Sequence, residues 1–141
     1  MILIGAKSLC QKYQKIIRSP ENGRIHVALN PNGQFKVKHY HLDGEIVKNQ
    51  TCCDYLLINV SKKNSFFIEL KGQDIRKAVS QVLAAEELCK EDLDGYTSYY
   101  RIVTSKVRTA ELHSTEYQRL LRKVGNARLK CSSIKMEEEL V

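Results

Sequence analysis

Two neighbouring stretches decide the fold: CDYLLINV (residues 53–60) and SFFIELK (residues 65–71), which the polar SKKN (61–64) joins. Both are rich in aliphatic and aromatic residues without clean alternation, which is typical of central strands buried on both faces. Because strand side chains alternate, Glu69 and Lys71 share one face. A hairpin-like pairing would bring Asp54, near the start of the first strand, close to Glu69, near the end of the second.

Two carboxylates and a lysine at strand ends are the groups that metal-dependent phosphodiester hydrolysis requires. Mg²⁺ takes oxygen ligands and keeps several waters, so Asp54 and Glu69 can suffice as protein ligands. Such a cation lowers the pKa of its water, and Lys71 could orient or deprotonate that water or stabilise the transition state. The alternative is a surface Glu-Lys pair at a strand end with an unrelated aspartate in a turn.

These residues resemble the PD-(D/E)xK nuclease superfamily, which includes type II restriction enzymes and archaeal Holliday-junction resolvases. The resemblance covers residues 35–103 and implies a restriction-endonuclease-like core. It implies that Asp54 and Glu69 hold Mg²⁺ or Mn²⁺, that the Leu70 carbonyl adds a ligand, and that Lys71 is catalytic. Gln81, in the following helix, resembles a glutamine that several branches place near the site.

The chain departs from that family pattern at two places. Cys53 stands where the family has proline, and residues 1–20 contain no Asp or Glu, although resolvases carry a glutamate in the first helix. Glu45 is the remaining candidate for an additional acidic ligand.

The order of elements predicts an α/β fold with a mixed central sheet flanked by helices on both faces. Residues 6–18 carry apolar residues at helical spacing, Leu9, Tyr13, Ile16 and Ile17, and predict a first helix. Turn residues then separate predicted strands at 24–29 and 35–42, and Asp43-Gly44 predicts a hairpin into 45–48. Beyond the two central strands we expect helices at 74–90 and 114–123, strands at 99–105 and 127–131, and a flexible tail at 135–141.

Composition favours one globular domain spanning residues 1–141, with 43% hydrophobic and 28% charged residues. The scattered cysteines form no CxxC pair and favour reduced thiols. The apolar run at the N-terminus is too short for a signal peptide or a membrane span, so we expect an intracellular, cytoplasmic protein with no membrane partner.

The net charge of +7 and the pI of about 9.2 favour a polyanionic partner, nucleic acid above all. Arg119, Arg122 and Lys123 fall at i, i+3 and i+4 and form one basic helix face, which could grip phosphate or simply be solvated. The predicted nucleic-acid-binding residues are Lys7, Arg101, Lys106, Arg108, Arg119, Arg122 and Lys123. His39 and His41 share a strand face, where they could bind a metal or phosphate or merely be solvated.

The sequence therefore predicts a Mg²⁺- or Mn²⁺-dependent endonuclease that hydrolyses DNA. Branched or otherwise structured DNA is a candidate substrate. The alternative is a non-catalytic nucleic-acid-binding or assembly subunit that keeps the nuclease fold, and RNA is a weaker alternative substrate. Because so small a domain cannot easily enclose a duplex, we expect a homodimer with two sites on opposed strands.

Overall fold

The computed structural model describes residues 1–70 and 72–141, so Lys71 lies outside the described residues. Strands make up most of its regular structure. The elements are β1 (Ile16–Glu21), β2 (Arg24–Leu29), a 3₁₀ turn (Pro31–Gly33), β3 (Val37–His41), β4 (Tyr55–Asn59), β5 (Asn64–Leu70), α1 (Ile75–Cys89), β6 (Thr97–Thr104), α2 (Thr109–Leu112), α3 (Thr115–Val124), β7 (Leu129–Ser133) and β8 (Lys135–Glu139).

The strands form two mixed sheets. In the main sheet, ordered β3-β4-β5-β6-β7, the first three strands are antiparallel, whereas β5, β6 and β7 run parallel. In the small sheet, ordered β1-β2-β8, β1 and β2 form an antiparallel hairpin and β8 joins β2 in parallel. The α/β class and the mixed central sheet are thus confirmed.

The main sheet is covered by helices on one face and by the small sheet on the other. Apolar residues of α1 and α3 pack with Leu56, Phe67 and Ile102 in one core cluster. Ile17, Ala28 and Met136 of the small sheet pack with Phe66 and Ile68 in a second cluster. The prediction of helices on both faces is wrong, because a sheet built from both ends of the chain covers the second face.

The predicted helix at 6–18 is absent from the described residues. Residues 1–15 form turns and irregular backbone beside β3, where the Leu9 N–H donates to the His39 carbonyl at 2.7 Å and the Val37 N–H donates to the Lys12 carbonyl at 2.8 Å. Of the expected apolar stripe, Leu9 and Tyr13 stay 60% and 53% exposed and Ile17 is buried as a strand residue. Hydrogen bonding to the sheet edge replaces helix formation here.

Two further expectations are corrected. Residues 45–48 form no strand; three successive N–H groups, from Glu45 to Val47, donate to the Leu42 carbonyl in a compact turn. The expected flexible tail is instead β8, whose backbone pairs with β2. Its side chains alternate between the two faces of the small sheet, so Met136 is buried at 8% exposure, and Leu140 just beyond the strand is 5% exposed. By contrast, the helix predicted at 114–123 is confirmed as α3, with Ser114 accepting from the Tyr117 N–H at its N-terminus.

No helix in the described ranges is long and apolar enough to span a membrane.

A buried charge cluster joins the two sheets. Arg101 of β6 is 1% exposed, and its Nε donates to Glu138 Oε2 of β8 at 2.7 Å. His26 Nε2 of β2 lies 2.6 Å from the same oxygen. Burial by itself would raise the pKa of Glu138, but the hydrogen bonds and charges of His26 and Arg101 lower it to about 2. The cluster therefore holds β8 against the main sheet through one ionised carboxylate.

Replacing this carboxylate should destabilise the fold and change its acid sensitivity. Folding holds the Glu138 pKa below its ordinary 4.5, so its stabilisation is complete above pH 4.5 and is lost as the pH falls towards 2. We expect Glu138→Gln to lower the free energy of unfolding at neutral pH by roughly 3 kcal/mol, because Arg101 stays buried without its carboxylate. Urea unfolding at a series of pH values measures both effects.

The exposed neighbour Glu137 supplies the matched control, and Glu137→Gln should change neither quantity. A Glu138→Gln variant that loses stability between pH 4.5 and 2 as steeply as the wild type would contradict the role given to this carboxylate.

Candidate functional site

The pairing of β4 with β5 brings Asp54 and Glu69 together. Tyr55 pairs with Ile68 in the antiparallel ladder, so the residue before β4 lies beside the last residues of β5. The Leu70 N–H donates to Asp54 Oδ2 at 2.8 Å, and the Asp54 N–H donates to Glu69 Oε1 at 3.2 Å. Each carboxylate is thus fixed by a backbone group of the other strand, as the hairpin-like pairing in the sequence predicted.

Glu69 is buried on the helix side of the main sheet, at 1% exposure, next to Gln81 of α1. With its nitrogen turned towards Glu69, the Gln81 amide donates to Glu69 Oε2 at 3.3 Å and to the Lys77 carbonyl at 3.2 Å. In the opposite orientation the Gln81 amide donates only one hydrogen bond, to the Cys52 carbonyl at 3.5 Å. The orientation towards Glu69 therefore satisfies the hydrogen-bonding capacity of the amide better. The structure therefore brings together Asp54, Glu69, the Leu70 backbone and Gln81.

The remaining predicted catalytic residue, Lys71, lies outside the described residues. Asp74 caps the helix that follows, because its side chain accepts from the Lys77 N–H at 3.0 Å. Gly72 precedes this cap and accepts through its carbonyl from the Ser105 N–H at 2.8 Å. Gly72 and Asp74 are thus held at the end of β6 and at the start of α1.

Asp54 opens onto a cleft of about 410 Å³ at the edge of the main sheet. That volume falls within the usual range for ligand-binding clefts, roughly 300–1,000 Å³. The tip of the β1–β2 hairpin contributes to its lining. The cleft is lined by Glu21, Asn22, Arg24, His41, Asp43, Asp54, Leu70 and Gly72.

The two strand histidines have different surroundings. His39 is 4% exposed, and its Nε2 lies 2.8 Å from Ser19 Oγ. Burial, with smaller contributions from His26 and His41, lowers the pKa of His39 to about 4, so the ring is neutral at neutral pH. His41 instead reaches the cleft, where its Nε2 lies 3.7 Å from Glu21 Oε2. Of this pair, only His41 can contact a molecule in the cleft.

Cys53, beside Asp54, is fully buried. Burial raises the pKa of its thiol well above the ordinary value, and Cys52, Glu69 and Asp54 raise it further. The sulfur is therefore protonated at neutral pH and is no nucleophile. The chemistry available at this position is that of the carboxylates.

The predicted basic residues separate into one buried residue and several exposed ones. Arg101 is fully committed to the interior: besides Glu138, its guanidinium donates to three backbone carbonyls, those of Tyr100, Ala127 and Arg128. Its predicted role in nucleic-acid binding is therefore wrong. The exposed residues are Lys7, Lys106, Arg108, Arg119, Arg122 and Lys123.

One of the exposed basic residues, Lys7, lies near the cleft. Lys7 lines an adjoining depression, which also holds Glu45 and shares His41 with the cleft. Lys106 and Arg108 follow Ser105, which is bonded to Gly72 at the cleft margin. The structure places Arg119 and Lys123 elsewhere, in a groove between α1 and α3 that they line with Arg76.

Sequence reasoning missed Glu21, Arg24 and Asp43 as cleft residues. Asn22 and Gly23 between them have φ of 46° and 81°, the left-handed pair of a two-residue hairpin turn. The Asn-Gly dipeptide could have revealed this hairpin, but it reads equally well as the end of a preceding helix. Nothing local indicates that the hairpin tip faces Asp54.

Comparison of the chain with protein-family models, with curated proteins and with solved structures finds no match. The function is therefore argued from the site.

The hydrogen bond between Leu70 and Asp54 yields a test of the site's architecture. Asp54→Asn keeps an oxygen that can accept from the Leu70 N–H, so we expect a change below about 1 kcal/mol in the free energy of unfolding. Asp54→Ala leaves this N–H without its acceptor and should cost roughly 1–3 kcal/mol. Chemical denaturation of both variants measures the difference. Equal stability of the two would contradict a structural role for this bond.

Proposed function

We propose that this chain is a metal-dependent nuclease of the PD-(D/E)xK type, acting on DNA, with Asp54 and Glu69 at its centre. The observation that carries the proposal is that Asp54 Oδ2 accepts from the Leu70 N–H and Glu69 Oε1 accepts from the Asp54 N–H, beside an open cleft. A restriction-endonuclease-like core is part of the proposal. It is supported by the antiparallel pair β4–β5, the helix α1 that follows, and the parallel strand β6.

The donor set at this position suits Mg²⁺ or Mn²⁺. Asp54 and Glu69 supply carboxylate oxygens that the backbone N–H groups of Leu70 and Asp54 orient. Oxygen donors that accept waters beside them are what Mg²⁺ requires. No group of three or more His, Cys, Asp or Glu side chains is arranged to hold a metal within residues 1–70 and 72–141. A bound ion would thus depend on the two carboxylates, the Leu70 carbonyl and water.

The bound cation would supply a water of lowered pKa and offset charge on the phosphate. The chain's own contribution is placement. Asp54 holds its orientation through the Leu70 N–H, and Gln81 orients Glu69 from the helix side. Lys71, by the resemblance, would orient or deprotonate the attacking water or stabilise charge in the transition state.

The exposed basic residues support nucleic acid as the substrate. Lys7 lines a depression beside the cleft, and Lys106 and Arg108 follow Ser105, which is bonded to Gly72 at the cleft margin. In the proposed complex these residues would contact backbone phosphates on either side of the reacting one. A second copy of the chain would present a second site to the opposite strand of a duplex, so the proposed working form is a homodimer.

The decisive test is cleavage by the purified chain. Labelled single-stranded, duplex and branched DNA and RNA would be incubated with Mg²⁺, Mn²⁺ or EDTA. We expect cutting of DNA with either metal and none with EDTA. Glu69→Gln, Asp54→Asn and Lys71→Ala should each lower the rate by on the order of 100-fold or more, because each removes a group from the reacting centre.

His113→Ala, an exposed substitution outside the site, serves as the control and should cut at the wild-type rate. Retained cleavage in all three site variants would show that another site or a contaminant acts. A folded chain that binds DNA but cuts none of these substrates would favour the non-catalytic binding or assembly subunit. Cutting of RNA alone would change the substrate class.

A further inference from the structure

We propose that Arg24, at the tip of the β1–β2 hairpin, forms a phosphate-binding subsite in the cleft beside Asp54 and holds the DNA strand. This inference rests on the proposed function and identifies a residue that would position its substrate. The side chain lines the same cleft as Asp54.

The first observation is that the Arg24 guanidinium is not used by the fold. Its Nε is shielded from solvent and has no hydrogen-bond partner. Throughout the part of the chain that the structure describes, this side chain makes no hydrogen bond and no ion pair. A shielded donor without a partner is unfavourable, because it has lost its hydration and gained no hydrogen bond. A ligand that accepts from the guanidinium would remove this cost.

The nearest structural partner is already engaged elsewhere. Glu21 lies directly opposite Arg24 in the hairpin register, where cross-strand ion pairs usually form. Its carboxylate instead lies 3.7 Å from His41 Nε2. The hairpin therefore presents the guanidinium to the cleft without an internal carboxylate attached to it.

Chemistry selects a phosphate as the ligand. A planar guanidinium offers paired N–H donors that match two phosphate oxygens. The cleft also contains the carboxylates of Glu21, Asp43 and Asp54, which repel an anion unless positive charge lies nearby. Among the described residues of this lining, Arg24 carries a permanent positive charge, so it is placed to offset that repulsion.

The hairpin geometry fixes the position of the subsite. The left-handed φ values of Asn22 and Gly23 define a tight turn, which sets Arg24 immediately after the tip. Beyond it, His26 is anchored to Glu138 and Ile25 donates through its N–H to the Ile134 carbonyl at 3.0 Å. The anchored backbone fixes the point from which the Arg24 side chain extends, and so limits the region that its guanidinium can reach.

The test measures DNA affinity separately from cleavage. Fluorescence anisotropy would follow binding of a labelled DNA duplex and of a single strand to the Glu69→Gln chain in Mg²⁺, at a series of salt concentrations. In that background we expect Arg24→Gln to weaken binding roughly tenfold. It should also flatten the plot of log affinity against log salt by about one unit, because one phosphate contact is lost.

The matched control is Arg18→Gln, which removes an exposed arginine from the other strand of the same hairpin. It should change neither the affinity nor the slope. Arg24→Lys keeps the positive charge but loses the paired N–H donors of the guanidinium. The slope of log affinity against log salt should therefore stay at the wild-type value, while the affinity falls. This second variant keeps the test valid if Arg24→Gln is unfolded by circular dichroism.

The outcomes separate the two proposals. Equal affinity and equal slope for Arg24→Gln and Arg18→Gln would overturn the subsite, even in a chain that cuts DNA. An Arg24-specific loss of binding in a chain that cuts nothing would support the subsite and count against the nuclease. A wild-type chain that binds neither DNA form would contradict both.

Discussion

The burial of β5 on both faces and along both edges is the constraint from which the rest of the structure follows. Phe66 and Ile68 face the small sheet, whereas Phe67 faces the helices. With β4 antiparallel on one side and β6 parallel on the other, the strand has no free edge. A strand so enclosed must be apolar over most of its length. Its one ionisable side chain, Glu69, lies at the end where the chain leaves the sheet.

The position of Glu69 follows from that enclosure. A carboxylate at 1% exposure is tolerated only where polar groups surround it. The Asp54 N–H and the Gln81 amide supply such groups from β4 and α1, on two sides of the strand end. The same contacts that satisfy the buried charge therefore align Asp54 with the cleft. In the proposed nuclease, the fold and the metal site depend on one set of hydrogen bonds.

The local sequence pattern predicted the secondary structure correctly where the periodicity of the apolar residues matches their burial in the fold. The stripe containing Ile75, Ala78, Val79 and Val82 predicted α1, and these residues are buried against the main sheet. The apolar runs at 53–60 and 65–71 predicted β4 and β5, and with them the approach of Asp54 to Glu69. The candidate site and the central strands could both be predicted from the sequence because the same two strands, β4 and β5, form both.

The local sequence pattern gave wrong predictions where contacts with distant parts of the chain determine the structure. Leu9, Tyr13 and Ile16 have helical spacing, yet Leu9 and Tyr13 lie in a segment that hydrogen-bonds to the β3 edge and leaves both largely exposed, and Ile16 begins β1. In the acidic C-terminal segment, Glu138 finds Arg101, which is remote in sequence, and becomes the anchor of β8. That pairing also removes Arg101 from the surface. A local stretch of sequence cannot show that Arg101, in a strand, will form an ion pair with Glu138, near the C-terminus.

The distribution of charge explains why a basic chain can have an acidic cleft. The net charge of +7 is carried by exposed lysines and arginines, whereas Glu21, Asp43 and Asp54 gather at the end of the main sheet. A polyanion attracted by the basic surface would meet repulsion at these carboxylates. Two sources of positive charge can offset it: a divalent cation held by the carboxylates of the proposed metal site, and the guanidinium of Arg24, which lines the same cleft as Asp54. The proposed metal site and the proposed phosphate subsite therefore meet the same electrostatic requirement.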